Sequence, residues 1–265
     1  MSNKISVDDH IVITGGLSGI GLETARILLN EGMTVYINGR SEKTVKKAVE
    51  YLKNEIKGSD VKGIVADFLK QAQVKNLLSS LRDVDVLINN VGIYSSTSFF
   101  NTPKKTWYDQ FQVNVMSGVT LTKHFLEGMI ARNWGRVIFI SSECVYLAPT
   151  DLISYSSTKA ALHSLSRGIA QLSKGSNVTS NVVVPGSTLS EGAKNYLETK
   201  SELENVTKNQ VEKNFFKDER KTSLTQRFAS TSEVAATIAY LCSHHSSSSN
   251  GSVVRVDGGS SLGTF

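Results

Sequence analysis

Short β-branched apolar runs recur along this chain, bounded by polar residues, at 10–14, 34–38, 61–66, 84–88, 136–140, 178–184 and 251–256. Most are continuous, not alternating, which is the pattern of strands buried on both faces of a parallel sheet. Between them lie segments with helical spacing of apolar residues. Among these are 22–29, a long amphipathic stretch at 106–132, and 155–173, whose Lys159, Ala160, Ala161, Leu162 and Leu165 favour helix. Strand and helix alternate, so the expected fold is α/β: a doubly wound, mainly parallel seven-stranded sheet with helices on both faces. At 265 residues the chain reads as one domain, 1–265. Ligands bind such sheets outside the carboxyl ends of the strands. The loops carrying Gly15, Asp67, Asn89, Ser142 and Pro185 all follow strands, so they are expected to converge on one crevice.

The first of these loops is glycine-rich. Gly15, Gly19 and Gly21 stand between the first strand and the first helix, the context that a phosphate-binding glycine motif needs. Glycine admits positive φ and lets backbone approach a pyrophosphate, and the following helix offers unpaired N–H groups to an anion. A tight structural βα turn is the competing reading. After the second strand, NAD-preferring dinucleotide folds carry an acidic residue for the ribose 2′-hydroxyl. Here Asn38-Gly39-Arg40-Ser41 supplies none before Glu42. A guanidinium fork at Arg40 suits a 2′-phosphate, so NADP(H) is preferred, with NAD(H) the alternative. The opposing reading makes Arg40 a solvated loop cation.

Tyr155 and Lys159 stand four residues apart, thirteen residues after Ser142. On a helix they share a face. A free phenol has a pKa of roughly 10, and a nearby cation lowers it by favouring the phenolate. Lys159 is expected to supply that cation, and Ser142 to hydrogen-bond a substrate carbonyl oxygen as charge develops on it. An ordinary amphipathic pair would share this spacing, and the glycine loop upstream turns the balance towards proton transfer coupled to hydride transfer.

Taken together, Thr14-Gly-x-x-x-Gly-x-Gly21, Asp67, Asn89-Asn-Val-Gly92, Asn114, Ser142, Tyr155-x-x-x-Lys159, Pro185-Gly186 and Val256-Asp-Gly-Gly259 resemble the short-chain dehydrogenase/reductase family, in its single-domain branch. The resemblance covers nearly the whole chain. It implies a Rossmann-type fold in which Tyr155 is the general acid or base, Lys159 lowers its pKa and holds the nicotinamide ribose, and Ser142 orients the substrate. It further implies that Asn114 supports a water linking Lys159 to solvent. The cofactor-binding residues it implies are Gly15, Leu17, Ser18, Gly19, Ile20, Gly21, Arg40, Asp67, Phe68, Asn89, Asn90, Val91, Gly92, Tyr155, Lys159, Pro185, Gly186, Thr188 and Ser190. Asp67 would contact adenine, Asn89 and Gly92 would lie near the adenosine, and Thr188 or Ser190 would hold the carboxamide. Val91 replaces the usual Ala, Ser190 a more usual Thr, and Glu143 and Cys144 stand where many relatives carry small residues. The expected reaction is interconversion of a ketone and a secondary alcohol. The alternative is a non-catalytic NADP(H)-binding sensor, which would be expected to lose Tyr or Lys. Relatives are commonly dimers or tetramers, and a homodimer or homotetramer is expected.

Net charge is +5 and the pI about 9.1. The basic residues are interspersed with acids and form no aromatic-interleaved stripe, so nucleic acid and membrane are not expected partners. No apolar run has the length of a membrane span. The first nine residues lack an apolar signal core, and a cytoplasmic location is expected. Cys144 and Cys242 do not form a disulfide framework. Cys144 is read as buried and inert, or as a thiol near the pocket. His244 and His245 read as a solvated loop, and no metal is expected. Residues 187–227 contain helical pieces at 193–197 and 206–216 and are read as a substrate lid, or otherwise as a surface helix pair. Tyr196, Phe215 and Phe216 are candidates for apolar substrate contact or helix packing.

Overall fold

Alternation along the first strand divides the interior in two. Ile11 and Ile13 point into one apolar cluster and Val12 into another on the opposite face, as the two-residue period of a strand requires. The computed structural model describes residues 9–263. Residues 1–8, most of the segment read for a signal core, lie outside the described residues.

Seven strands form one parallel sheet: β1 (His10–Ile13), β2 (Thr34–Gly39), β3 (Val61–Val65), β4 (Val86–Asn89), β5 (Gly135–Ile140), β6 (Val178–Pro185) and β7 (Val253–Val256), in the order β3-β2-β1-β4-β5-β6-β7. Every pairing is parallel. The helices are α1 (Gly19–Asn30), α2 (Glu42–Glu55), α3 (Gln71–Ser80), α4 (Lys104–Phe111), α5 (Ser117–Ala131), α6 (Cys144–Leu147), α7 (Ile153–Leu172), α8 (Glu191–Glu204), α9 (Lys208–Asp218) and α10 (Thr231–Cys242). Residues of α1, α2 and α10 pack on one face of the sheet. Residues of α3, α5 and α7 pack on the other.

The expected single helix over 106–132 is divided. α4 runs into a π-helical turn at Gln112–Met116 before α5 begins. Hydrophobic spacing tolerates one extra residue in a turn, so the apolar pattern carried no sign of it. Asn114 sits in that turn, as is common for π-turns at functional sites.

A third, smaller apolar cluster lies apart from the sheet. Leu197, Val211, Phe216 and Phe228 form it, with Tyr196 and Phe215 packed against it. It holds α8 to α9. α8 is longer than the expected piece at 193–197, α9 is shifted two residues from the expected 206–216, and hydroxyls cap both: Ser190 accepts from Ala193 N and Thr207 from Gln210 N. The base of this unit is tied to the strand ends. Ala229 N donates to Ser187 O (3.0 Å), Leu189 N donates to Ala229 O (2.8 Å), and Leu224 N donates to Gly258 O (2.8 Å).

Candidate active site

The strand order reverses between β1 and β4, and a crevice opens above that point, where such sheets bind ligands. Its first wall is made of main chain. Thr14 Oγ1 accepts from Asn90 N and Val91 N, both at 3.0 Å. Asn90 Nδ2 donates to Thr14 O (2.9 Å) and Gly15 O (3.0 Å). These bonds lock the glycine turn to the β4 loop. Gly15 has φ +63°, a left-handed conformation suited to glycine. A Cβ on Gly21 would lie 2.5 Å from Gly15 O and 2.6 Å from Asn90 Nδ2, so only glycine fits where α1 starts.

The resulting cleft has a volume of about 850 Å³. Of the expected cofactor residues, Gly15, Leu17, Ser18, Ile20, Gly21, Arg40, Asp67, Phe68, Asn90, Val91, Gly92 and Ser190 line it. Asp67 is held in place by Leu69 N, which donates to its Oδ1 at 3.0 Å. Gly19 and Asn89 do not line it. Asn89 is buried, and its amide carbon would lie 3.5 Å from a Cβ on Gly118, so it faces α5. Among the lining residues that the sequence did not single out are Ser41, the N-cap of α2, and Thr44, Lys47 and Tyr51 along that helix. Their placement one turn apart on α2, beside Arg40, is a helical-face signal that could have been read.

A second cleft of about 540 Å³ shares Ile20, Asn90, Gly92 and Ser190 with the first, so the two are halves of one crevice. Ser142, Tyr155, Lys159, Pro185, Gly186 and Thr188 line it. Gly186 crosses the main chain of Asp257, where a Cβ would come within 2.6 Å of Cα. Lys159 is buried and donates from Nζ to Ile140 O at 2.7 Å. A Cβ on Gly92 would stand 3.2 Å from this Nζ, so the glycine keeps the ammonium open towards the crevice. Asn114 does not line the crevice. Its Oδ1 accepts from Ile93 N (2.8 Å), and its Nδ2 donates to Ile93 O and Thr158 Oγ1 (both 2.9 Å). Thr158 in turn donates to Tyr155 O at 2.7 Å. The Asn114 side chain therefore ties the β4 loop to the tyrosine helix.

The electrostatics differ from the sequence expectation. Burial pushes the Tyr155 phenol well above its ordinary range; the Cys144 thiol acts in the same sense, and a hydrogen bond with Ser142 opposes it. Burial also pushes Lys159 down to about 8. The expected lowering of the Tyr155 pKa by Lys159 is thus corrected. The Lys159 ammonium is directed at Ile140 O and stands 5.7 Å from the tyrosine ring centroid, and desolvation outweighs it. Cys144 is buried in the cleft wall, and burial pushes its thiol up as well.

A sequence model of the short chain dehydrogenases matches residues 9–201. The chain belongs to the short-chain dehydrogenase/reductase family. It is 39% identical over 248 residues to YvaG, an uncharacterized oxidoreductase of Bacillus subtilis (strain 168), covering 94% of each chain. It is 28% identical over 252 residues to FabG, the 3-oxoacyl-(acyl-carrier-protein) reductase of Aquifex aeolicus (strain VF5), covering 94% of this chain and 95% of that one. Its structure resembles that of L-sorbose reductase from Gluconobacter frateurii complexed with NADPH and L-sorbose, with a TM-score of 0.91, 28% identity and full coverage of both chains.

In this short-chain dehydrogenase/reductase, the crevice fits a dinucleotide. It has a glycine cradle that a Cβ would fill, a helix N-terminus facing it, and cations at its far end in Arg40 and Lys47. Tyr196 and Phe215 reach the second cleft, whereas Phe216 is 1% exposed and belongs to the small cluster behind it. His244 and His245 are exposed, in keeping with their reading as part of a solvated loop, and His244 stacks on Trp134 with ring centroids 3.8 Å apart. No group of three or more metal-ligating side chains occurs among the described residues. Among them, no helix is long and apolar enough to cross a membrane.

Proposed function

We propose that this protein is an NADP(H)-dependent oxidoreductase that interconverts a ketone and a secondary alcohol, with Tyr155 as the acid or base. The observation that carries this reading is the meeting of Ser142, Tyr155 and Lys159 in one cleft that opens into the glycine-lined one. A reduced dinucleotide, when bound, supplies the hydride for the carbonyl carbon. Ser142 donates a hydrogen bond to the carbonyl oxygen as charge develops on it. Tyr155, kept protonated by its burial, delivers the proton to that oxygen. Lys159, with its pKa drawn to about 8, is poised to return a proton at neutral pH. Asn114 holds the helix that carries both groups. The NADPH complex of the sorbose reductase supports the choice of NADP(H), as does the cluster of Arg40, Ser41 and Lys47 at the site expected for a 2′-phosphate. The reading extends to residues 187–227 as a lid and to a homodimer or homotetramer in the cytoplasm. Its partner is a small carbonyl or alcohol substrate, with neither nucleic acid nor membrane involved.

The test is a fluorescence titration with NADPH and NADH, followed by a panel of ketones, quinones and 3-oxoacyl thioesters. Tighter NADPH binding and oxidation of the bound cofactor by one substrate class is the expected result. Arg40→Ala should weaken NADPH by about tenfold or more while sparing NADH, the loss of one charge-assisted contact. Binding of neither nucleotide would overturn the reading. Binding without turnover by any member of the panel would turn it towards the sensor.

A further inference from the structure

Glu143 directly follows Ser142, at the end of β5. Its N–H donates to Pro185 O at 2.9 Å, which pins it against the end of β6. The residue is 3% exposed. One carboxylate oxygen, Oε1, accepts from Ser187 Oγ at 2.8 Å and from Arg220 Nε at 2.9 Å. The other, Oε2, is buried without a hydrogen-bond partner among the described residues. A carboxylate accepts through both oxygens, and a buried acceptor left unmade is unfavourable, most of all a charged one. Glu143, Ser187 and Arg220 line the same cleft as Ser142 and Tyr155. The residue that carries this unused acceptor therefore lines the space where the substrate is expected.

We infer that Glu143 is the specificity-determining residue of this cleft. Its Oε2 accepts a hydrogen bond from a hydroxyl that the substrate carries one or two carbons from the reacting carbonyl. The substrate class is then a hydroxyketone, and the product a diol. This deepens the ketone-reductase reading and rests on it. Consecutive Cα atoms are about 3.8 Å apart, so groups held by Ser142 and Glu143 are close neighbours within one small molecule. A carboxylate takes a donor, finds none on a methylene, and repels an anion. An acyl chain laid against Glu143 would leave Oε2 unmade. Arg220 is a positioning residue: it holds Oε1, donates from Nη1 to Glu219 O at 2.9 Å, and lies 5.4 Å from the Phe215 ring centroid.

The test compares three ketones, 1-hydroxy-2-butanone, 1-methoxy-2-butanone and 2-butanone, as substrates of the parent and of Glu143→Gln. The parent should favour the hydroxyketone over the other two by about 10- to 100-fold in kcat/KM, mostly through KM, as a charge-assisted bond implies. In Glu143→Gln the amide oxygen is drawn to Ser187 and Arg220, and the NH2 takes the place of Oε2. Acceptor becomes donor, so the hydroxyl preference should shrink and the methoxyketone should gain on 2-butanone. Calorimetric binding of the same ketones to NADPH-loaded Tyr155→Phe protein, with and without Glu143→Gln, reads the preference without turnover. Selective binding beside a parent that reduces nothing would sustain the Glu143 assignment and sink the reductase reading. Reduction of all three ketones without preference would do the reverse. An equal loss for all three in Glu143→Gln would make Glu143 a structural tie only and overturn the inference. If Glu143→Gln fails to fold, Glu143→Asp, which retracts the charge, should lose the preference in the same assays, and retention would overturn it.

Discussion

The two halves of the crevice are made of different material. At the glycine-loop end the walls are backbone, fastened by Thr14 and Asn90 and closed by a helix start that admits no side chain at Gly21. At the other end, the unit of α8 and α9 is held by a cluster of aromatic rings. Phe215 and Phe228 stack at 5.0 Å, and Phe216 meets Phe228 edge-on at 5.2 Å. An ion pair from Arg220 to Glu143 joins this unit to the cleft wall beside Ser142, with side chains 15% and 4% exposed. Backbone presents the same donors and acceptors whatever the side chains, so the first half suits a ligand common to many proteins. Side chains differ from protein to protein, so the second half is suited to a ligand particular to one protein.

The largest effect should come from the group that serves both halves. Tyr155→Phe is expected to lower kcat by about 10²- to 10⁴-fold, the usual worth of an acid–base group, while NADPH affinity stays near that of the parent. Comparable losses in both would mean that Tyr155 only shapes the dinucleotide half.

Next, Gly21→Ala should destabilise the protein by about 1–3 kcal/mol through overpacking and weaken NADPH as well. Gly192→Ala, in α8, has only Ser190 Oγ near its new Cβ, at 3.8 Å, and should be neutral or stabilising by up to about 1 kcal/mol. Thermal melts of the two variants measure how rigid each half is. Equal shifts would erase the contrast.

Arg220→Ala leaves Glu143 buried without its cation. A loss of about 1–3 kcal/mol is expected, expressed as faster proteolysis within 187–227 with amide exchange in the sheet unchanged. Uniformly faster exchange would show that the pair supports the sheet rather than the α8–α9 unit.

The smallest effect concerns pH. The Lys159 pKa is about 8 in the folded protein against roughly 10.4 in an unfolded chain. The unfolded state therefore holds more protons between these values, and stability rises with pH through that window. In cofactor-free protein, Lys159→Met should melt a few degrees higher than the parent at pH 7, and the gap should narrow towards pH 10. A gap that does not change with pH would mean that Lys159 is not the titrating group.

Much of the sheet was legible because a buried parallel strand needs only a short apolar run. The strands at 10–14, 34–38 and 136–140 are each within a residue of the observed β1, β2 and β5. The glycine loop was legible because its requirements lie within eight consecutive residues. Asn89 could not be placed, since its neighbour Asn90 has the same side chain and only the pleat decides which of them faces the crevice. Phe215 and Phe216 pose the same problem on a helix, where adjacent residues point about 100° apart. Glu143 stood out in the sequence as a departure from the family pattern, but its partner Arg220 is 77 residues away and gave no sign of the pairing.

Sequence alone determined what is local: the alternation of strand and helix, the glycine turn, and the four-residue spacing that sets Tyr155 and Lys159 on one helix face. Each depends on the conformation of a few consecutive residues, which their own side chains dictate. Tertiary structure decided what depends on burial and on contacts between distant segments. It set the upward direction of the Tyr155 pKa, the π-turn that aims Asn114 at Ile93 and Thr158, and the meeting of Glu143 with Arg220. Desolvation and long-range pairing arise only once the chain has closed around them, and no pattern along the sequence records which water is excluded or which charge comes to lie opposite.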